Sequence, residues 1–241
     1  MPNTFHKLSR LGLGVSMFLT VSAFAADNDL PKLVEISVPV QQVFTPKGFD
    51  TNDNAQIVVT GAYPNSCYKM GPTDVKIDPL TKTIRVDVKA FYTTNSYCLM
   101  LYIPFAQAVS VGVLPEGQYK LIVNSQPSGE VPVKLATKDQ PDDYVYATVW
   151  TLSRRSERRF ELQGFLPDSC SQISEIRVLE EKGDVFTILP IVKLSRGCEP
   201  DLTPANLNYT VEFDVPAGLK GKKLFHVRSL NGAGINQIFD F

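Results

Sequence analysis

One short block of sequence occurs twice, and it constrains this chain more than any other feature. Val59-Thr-Gly-Ala-Tyr-Pro-Asn-Ser-Cys67 aligns with Leu162-Gln-Gly-Phe-Leu-Pro-Asp-Ser-Cys170, and the shared pattern is Gly-x-x-Pro-(Asn/Asp)-Ser-Cys. A repeat of this kind predicts two copies of one structural plan. Each copy holds one further cysteine, Cys98 in the first and Cys198 in the second. Four cysteines permit three connectivities. One bridge per copy is the simplest, so Cys67–Cys98 and Cys170–Cys198 are expected. A zinc site is the rival use of four cysteines, but there is no Cys-x-x-Cys, and the only histidine beyond His6 is His226.

Between the cysteines the apolar residues keep a period of two, the mark of half-buried strands. Ile84, Val86 and Val88 alternate with Arg85, Asp87 and Lys89; Tyr209, Val211, Phe213 and Val215 alternate with Thr210, Glu212 and Asp214. Val131, Val133 and Leu135 alternate with Glu130, Pro132 and Lys134, and the proline marks an edge strand. Ser171–Lys182 reads either as a short helix or as a strand with Ile176 and Val178 inward. Turn formers such as Pro115-Glu-Gly117, Pro127-Ser-Gly129 and Pro216-Ala-Gly218 separate the runs. The expected fold is all-β: two tandem immunoglobulin-like β-sandwich domains, each with one disulfide, after a cleaved signal peptide. The expected boundaries are a signal peptide at 1–25, a first sandwich at 26–138, a polar linker at 139–143 and a second sandwich at 144–241.

The signal peptide is read from Lys7 and Arg10, an apolar stretch from Leu11 to Phe24, and Ala23-Phe24-Ala25. The stretch is short for a membrane span. Its removal leaves 22 basic against 25 acidic residues, a net charge of −3. Such a balance gives no electrostatic pull towards nucleic acid. The expected location is periplasmic or secreted, where cysteines pair, with no membrane span once the signal is removed.

Leu114-Pro-Glu-Gly117-Gln-Tyr119 resembles the tyrosine corner of immunoglobulin-like and fibronectin-type sandwiches. The resemblance implies that the Tyr119 hydroxyl bonds back to the backbone just upstream. The wider pattern is similar to secreted bacterial modules with tandem sandwiches of this type, over roughly residues 55–136 and less closely over 160–241. In the second copy Phe225 stands near the expected tyrosine position and cannot make the corner bond. Two exported sandwiches are also similar in layout to periplasmic chaperones that assemble pili, although the basic residues with which those grip a subunit's carboxylate find no match here.

No catalytic pattern and no cofactor site are read. His226 alternates with Phe225 and Val227 and shares a face with Leu224 and Arg228, which suggests a surface strand position. Asp50-Thr-Asn-Asp-Asn54 starts like a calcium loop, but Ala55 and Gly61 stand where an EF-hand needs Gly and Glu. Asp142-Asp143 and Glu180-Glu181 would serve an envelope hydrolase only if folding set two acids across a cleft. The one cluster that stands out is Ser153-Arg-Arg-Ser-Glu-Arg-Arg159. Arg154, Arg155, Arg158 and Arg159 are candidates for an anionic partner, since guanidinium forks suit carboxylates and phosphates; the alternative is a solvated hairpin. The functional expectation is a non-enzymatic envelope module that contacts a protein or a glycan, with a groove where the two sandwiches meet as one candidate contact. The alternatives are an envelope hydrolase or a chaperone-like protein.

Overall fold

The structure, a computed structural model, describes residues 30–137, 145–180, 184–199 and 207–241. The expected signal peptide and linker lie outside these residues, as do Asp142-Asp143 and Glu181. Residues 31–241 form one compact unit.

The first half holds β1 (Leu33–Ser37), β2 (Val40–Phe44), β3 (Phe49–Asp50), β4 (Ala55–Tyr63), β5 (Tyr68–Asp78), β6 (Thr83–Thr93), β7 (Ile103–Gly112), β8 (Gly117–Val123) and β9 (Gln126–Lys134). The second holds β10 (Thr148–Arg154), β11 (Arg159–Phe165), β12 (Ser171–Glu180), β13 (Val185–Leu194), β14 (Asn208–Asp214), β15 (Lys222–Arg228) and β16 (Gly234–Asp240). The repeat is visible in the pairing. One sheet is β2-β4-β7 in the first half and β10-β11-β14 in the second. The other is β5-β6-β8-β9, matched by β12-β13-β15-β16. The first half adds β1 beside β6 and the short β3 beside β9.

Each sandwich therefore has a three-stranded and a larger sheet around its own core. Ile57 and Val59 of β4 meet Ile84 and Val86 of β6 and Tyr119 and Leu121 of β8 in the first. Phe160 and Leu162 of β11 meet Phe186 and Ile188 of β13 and Phe225 of β15 in the second. One feature departs from all-antiparallel immunoglobulin sheets: β6–β8 and β13–β15 pair in parallel. Ser171–Glu180 is a strand, with Ile176 and Val178 packed on the core. β9 is an edge strand except at its end, where Phe49 and Asp50 of β3 pair with Val133 and Lys134.

The repeated block now has a physical reading. Gly61 and Gly164 sit where β4 and β11 face bulges in β2 and β10, between Val40 and Gln42 and between Val149 and Thr151. A Cβ at Gly61 would overlap the Pro39 carbonyl and the Phe105 ring, and one at Gly164 the Thr148 carbonyl and the Tyr209 ring. The Asn65 carboxamide oxygen accepts from the Cys67 amide at 3.0 Å, and the Asp168 carboxylate from the Cys170 amide at 2.9 Å. These side-chain caps start the turn that carries each cysteine. Cys67 pairs with Cys98 and Cys170 with Cys198.

The tyrosine corner forms: Tyr119, fully buried, donates its hydroxyl to the Pro115 carbonyl at 3.0 Å. The parallel register corrects its expected counterpart. Thr83 and Lys120 pair at the start of β6–β8, Val185 and Leu224 at the start of β13–β15. Phe225 thus matches Leu121, and Lys223, ion-paired with Asp184 at 2.7 Å, takes the tyrosine position. An aromatic cluster of Phe160, Phe186, Phe225, Phe239 and Phe241 fills that end instead.

Candidate functional site

Three places could carry a site: the arginine hairpin, the junction of the sandwiches and the first cystine loop. The arginines lie on the β10–β11 hairpin, and each is engaged within the chain. Arg154 donates to the Asp240 carbonyl at 2.9 Å and lies 4.2 Å from the Phe241 ring centre. Arg155 pairs with Glu161, whose carboxyl is held below its ordinary range by that contact. Arg158 donates to the Val215 carbonyl at 3.1 Å. Arg159 makes a forked contact with Asp214 at 3.0 and 3.1 Å. The acids come from β11 and β14, so the fold spends these guanidinium forks on cross-strand pairs.

At the junction, the outer face of β2 and β4 covers the outer face of β13, β15 and β16. Phe44, Val58, Val185 and Leu224 form a buried cluster there, with Ile238 against it. This corrects the surface reading of His226. The strand alternation was right about its face, but that face is covered, and His226 is only 2 % exposed. Its ring meets Phe49 edge-on, and Nδ1 lies 2.8 Å from the Asn236 carboxamide oxygen. Burial pushes its pKa down from 6.5 to about 4, so the ring is neutral at pH 7. Beside it Arg228 pairs with Asp53 at 2.9 Å, donates to the Gly48 carbonyl and lies over Phe49. The Asp50–Asn54 segment is a turn closed on itself, with the Asp53 carboxylate accepting from the Asp50 amide at 3.0 Å. The cavity here measures about 20 Å³, room for one water. The junction is thus tightly packed at its His226 end, while an open pocket of about 160 Å³, lined by Gln42, Phe44, Lys47, Asp184 and Val185, lies between the two halves beside β2.

The third place was not singled out by sequence reasoning. The loop from Thr94 to Tyr102 is anchored at Cys98 by its bridge to Cys67. It is fixed again at Leu99, whose amide donates to the Ser66 hydroxyl at 2.9 Å and whose carbonyl accepts from the Ser66 amide at 3.0 Å. Beneath it Tyr63 stacks on Phe105 at 4.7 Å, and Tyr68 meets Tyr92 at 4.9 Å. On this rigid base Tyr97, Leu99, Met100, Leu101 and Tyr102 all face solvent, Tyr97 completely and Met100 at 80 %. Large apolar side chains gathered in one exposed place mark interaction sites more often than scattered ones do. The repeat supplies an internal comparison: around Cys198 the second copy places Ser195, Arg196, Gly197 and Glu199. The residues that flank the second cysteine are therefore polar or charged in the second copy and apolar in the first. A readable signal did exist, because no Asp, Glu, Lys or Arg occurs between Lys89 and Glu116.

No helix among the described residues is long and apolar enough to cross a membrane. No curated protein and no solved structure matches the chain. A family model for the ORF11 β-sandwich domain matches residues 57–133, from β4 to β9 of the first sandwich, so that the half bearing the apolar loop is similar to a known β-sandwich module.

Proposed function

We propose that this protein is a non-enzymatic binding module of the cell envelope, exported to the periplasm or beyond, and that it contacts a protein partner through the loop Tyr97–Tyr102. Export is supported by the leader pattern at 1–25 and by two disulfides, which persist in oxidising compartments. The observation that carries the reading is the pinned loop with five large side chains in solvent. Aromatic residues and Met are enriched at the centres of protein interfaces, and charge is depleted there. A disulfide at the base lowers the ordering cost of binding, because the loop is held before the partner arrives.

A photo-crosslinking residue at Tyr97, compared with one at Glu199 in the matching loop, tests this. The expected result is one discrete adduct from position 97 in envelope preparations, competed away by excess wild-type protein. Equal, non-competable labelling from both positions would count against the loop.

A further inference from the structure

We propose that the outer face of β10, β11 and β14 binds an uncharged oligosaccharide, with the rings of Trp150 and Phe165 as its stacking platform. This site is separate from the loop proposed above and does not depend on it. In the first copy the equivalent face, on β2 and β4, is covered by the second half, and Ala62, which takes the place of Phe165, is buried. In the second copy the same face lies in solvent. Trp150 is the chain's only tryptophan, a residue type that is highly buried on average. Its exposure is built into the strand. Trp150 is the extra residue of the β10 bulge, between Val149 and Thr151, and bulges re-aim side chains. Gly164 faces that bulge, where a Cβ would overlap the Thr148 carbonyl. That carbonyl accepts from the Tyr209 hydroxyl at 3.2 Å, and the Val149 amide donates to the buried Ser229 hydroxyl at 3.0 Å. Two anchored residues therefore hold Trp150 in place before any ligand arrives. Gln41 stands at the corresponding point of the first bulge and donates to Tyr102 instead.

Three observations select a sugar as the occupant. The first is the rings themselves. Trp150 and Phe165 lie 5.8 Å apart, centre to centre, with their planes 40° from parallel. Their negative π-faces attract the polarised C–H bonds on the flat side of a pyranose. The second is what stands beside them. The register sets Thr151, Gln163 and Thr210 in one row on this face, and Asn208 beside Phe165 in the next. Neighbours in a row stand about 5 Å apart and rows about 7 Å, so several hydroxyl and amide groups meet one small ligand. The Gln163 amide is already oriented, because its Nε2 donates at 2.7 Å to Glu161, which Arg155 holds in turn. That leaves its Oε1 as an acceptor, and makes the Arg155–Glu161 pair a positioning device. The third is size and charge. At 50 % and 39 % exposure the two rings offer roughly 200 Å² of apolar surface. A stable protein interface takes about 800 Å² from each partner. The charges of this sheet sit at its far end, where Arg159 is paired with Glu212 and Asp214. The ring end therefore carries no net charge to draw an anionic polymer.

With a single tryptophan, intrinsic fluorescence reads this site alone. The mature protein would be titrated with cellohexaose, chitohexaose and maltohexaose. At least one of them should give a saturable blue shift that added salt leaves unchanged, since no charge is screened. Phe165→Ala keeps the reporter and should bind at least about fivefold more weakly. Trp150→Ala, followed by calorimetry, should show no binding. Both side chains are partly in solvent, and circular dichroism checks that each variant is folded. Leu99→Ser/Met100→Gln/Leu101→Ser should bind the sugar as the wild type does, which separates this face from the loop. No saturable change with any of the three sugars overturns the proposal, as does wild-type affinity in Phe165→Ala. Loss of sugar binding in the folded loop variant overturns the assignment to this face. Binding of polygalacturonate alone, abolished by salt, overturns the uncharged ligand and moves the site to the arginines.

Discussion

Replacing His226 with Asn should remove most of the extra acid sensitivity that the sandwich junction gives this protein. In the fold His226 faces Phe49 and Asn236, with Arg228 and Asp53 as the nearest charges. Burial is the main cause of its depressed pKa, about 4 against 6.5 in the unfolded chain, and the Arg228 charge acts in the same direction. The native state therefore favours the neutral ring. Stability from this group is complete above about pH 6.5, falls as the pH drops, and is fully lost near pH 4. A gap of about 2.5 pKa units corresponds to about 3 kcal/mol at the acid end, and to about 2 kcal/mol at pH 5. An asparagine amide can replace the Nδ1 donor to Asn236, does not titrate, and changes packing by an amount independent of pH. The measurement is urea unfolding of both proteins at pH 7.5 and pH 5.0, read as midpoint and slope. Carboxylates titrate alike in both, so the difference between the two losses isolates His226. Wild type should lose about 2 kcal/mol more than the variant. Equal losses would mean that the histidine is solvated in the native state and that the junction is open.

Other perturbations follow from the same contacts. Asp53→Asn should destabilise by about 3 kcal/mol in thermal melts, because Arg228 is left buried without its counter-charge. Tyr119→Phe keeps the ring and loses only the hydroxyl bond to Pro115, so about 1 kcal/mol is expected from denaturant unfolding. Cys67→Ser/Cys98→Ser should cost about 3–4 kcal/mol on the chain-entropy estimate, and amide exchange should rise through Thr94–Tyr102 in particular.

Much of the fold was legible because the relevant interactions are local or repeated. The two blocks fixed the equivalence of β4 and β11, and their Gly, Asn/Asp and Cys residues act within a few positions of one another. Tyr119 could be read because its acceptor is only four residues upstream. His226 could not. Alternation gives the face of a strand but not what covers that face, and the cover comes from strands some 180 positions earlier in the chain. The partners of the arginine hairpin were hidden for the same reason: Asp214 reaches Arg159 only after β11 and β14 pair. The apolar loop was hidden by its own composition, since Leu99-Met-Leu-Tyr-Ile103 reads equally well as a core strand. The cystine and the Ser66 contacts, which hold it at the surface, are tertiary facts.

The central claim is that contact is made by the first cystine loop rather than by the arginines. Saturation binding of labelled protein to an envelope fraction tests it directly. Leu99→Ser/Met100→Gln/Leu101→Ser would be compared with a variant in which Arg154, Arg155, Arg158 and Arg159 are all Gln, each first shown to be folded by circular dichroism. The account predicts at least about a tenfold loss of affinity for the loop variant, in line with removal of a hot-spot cluster, and wild-type binding for the arginine variant. Wild-type binding by the loop variant, with loss in the arginine variant, would contradict it and move the site to the second sandwich.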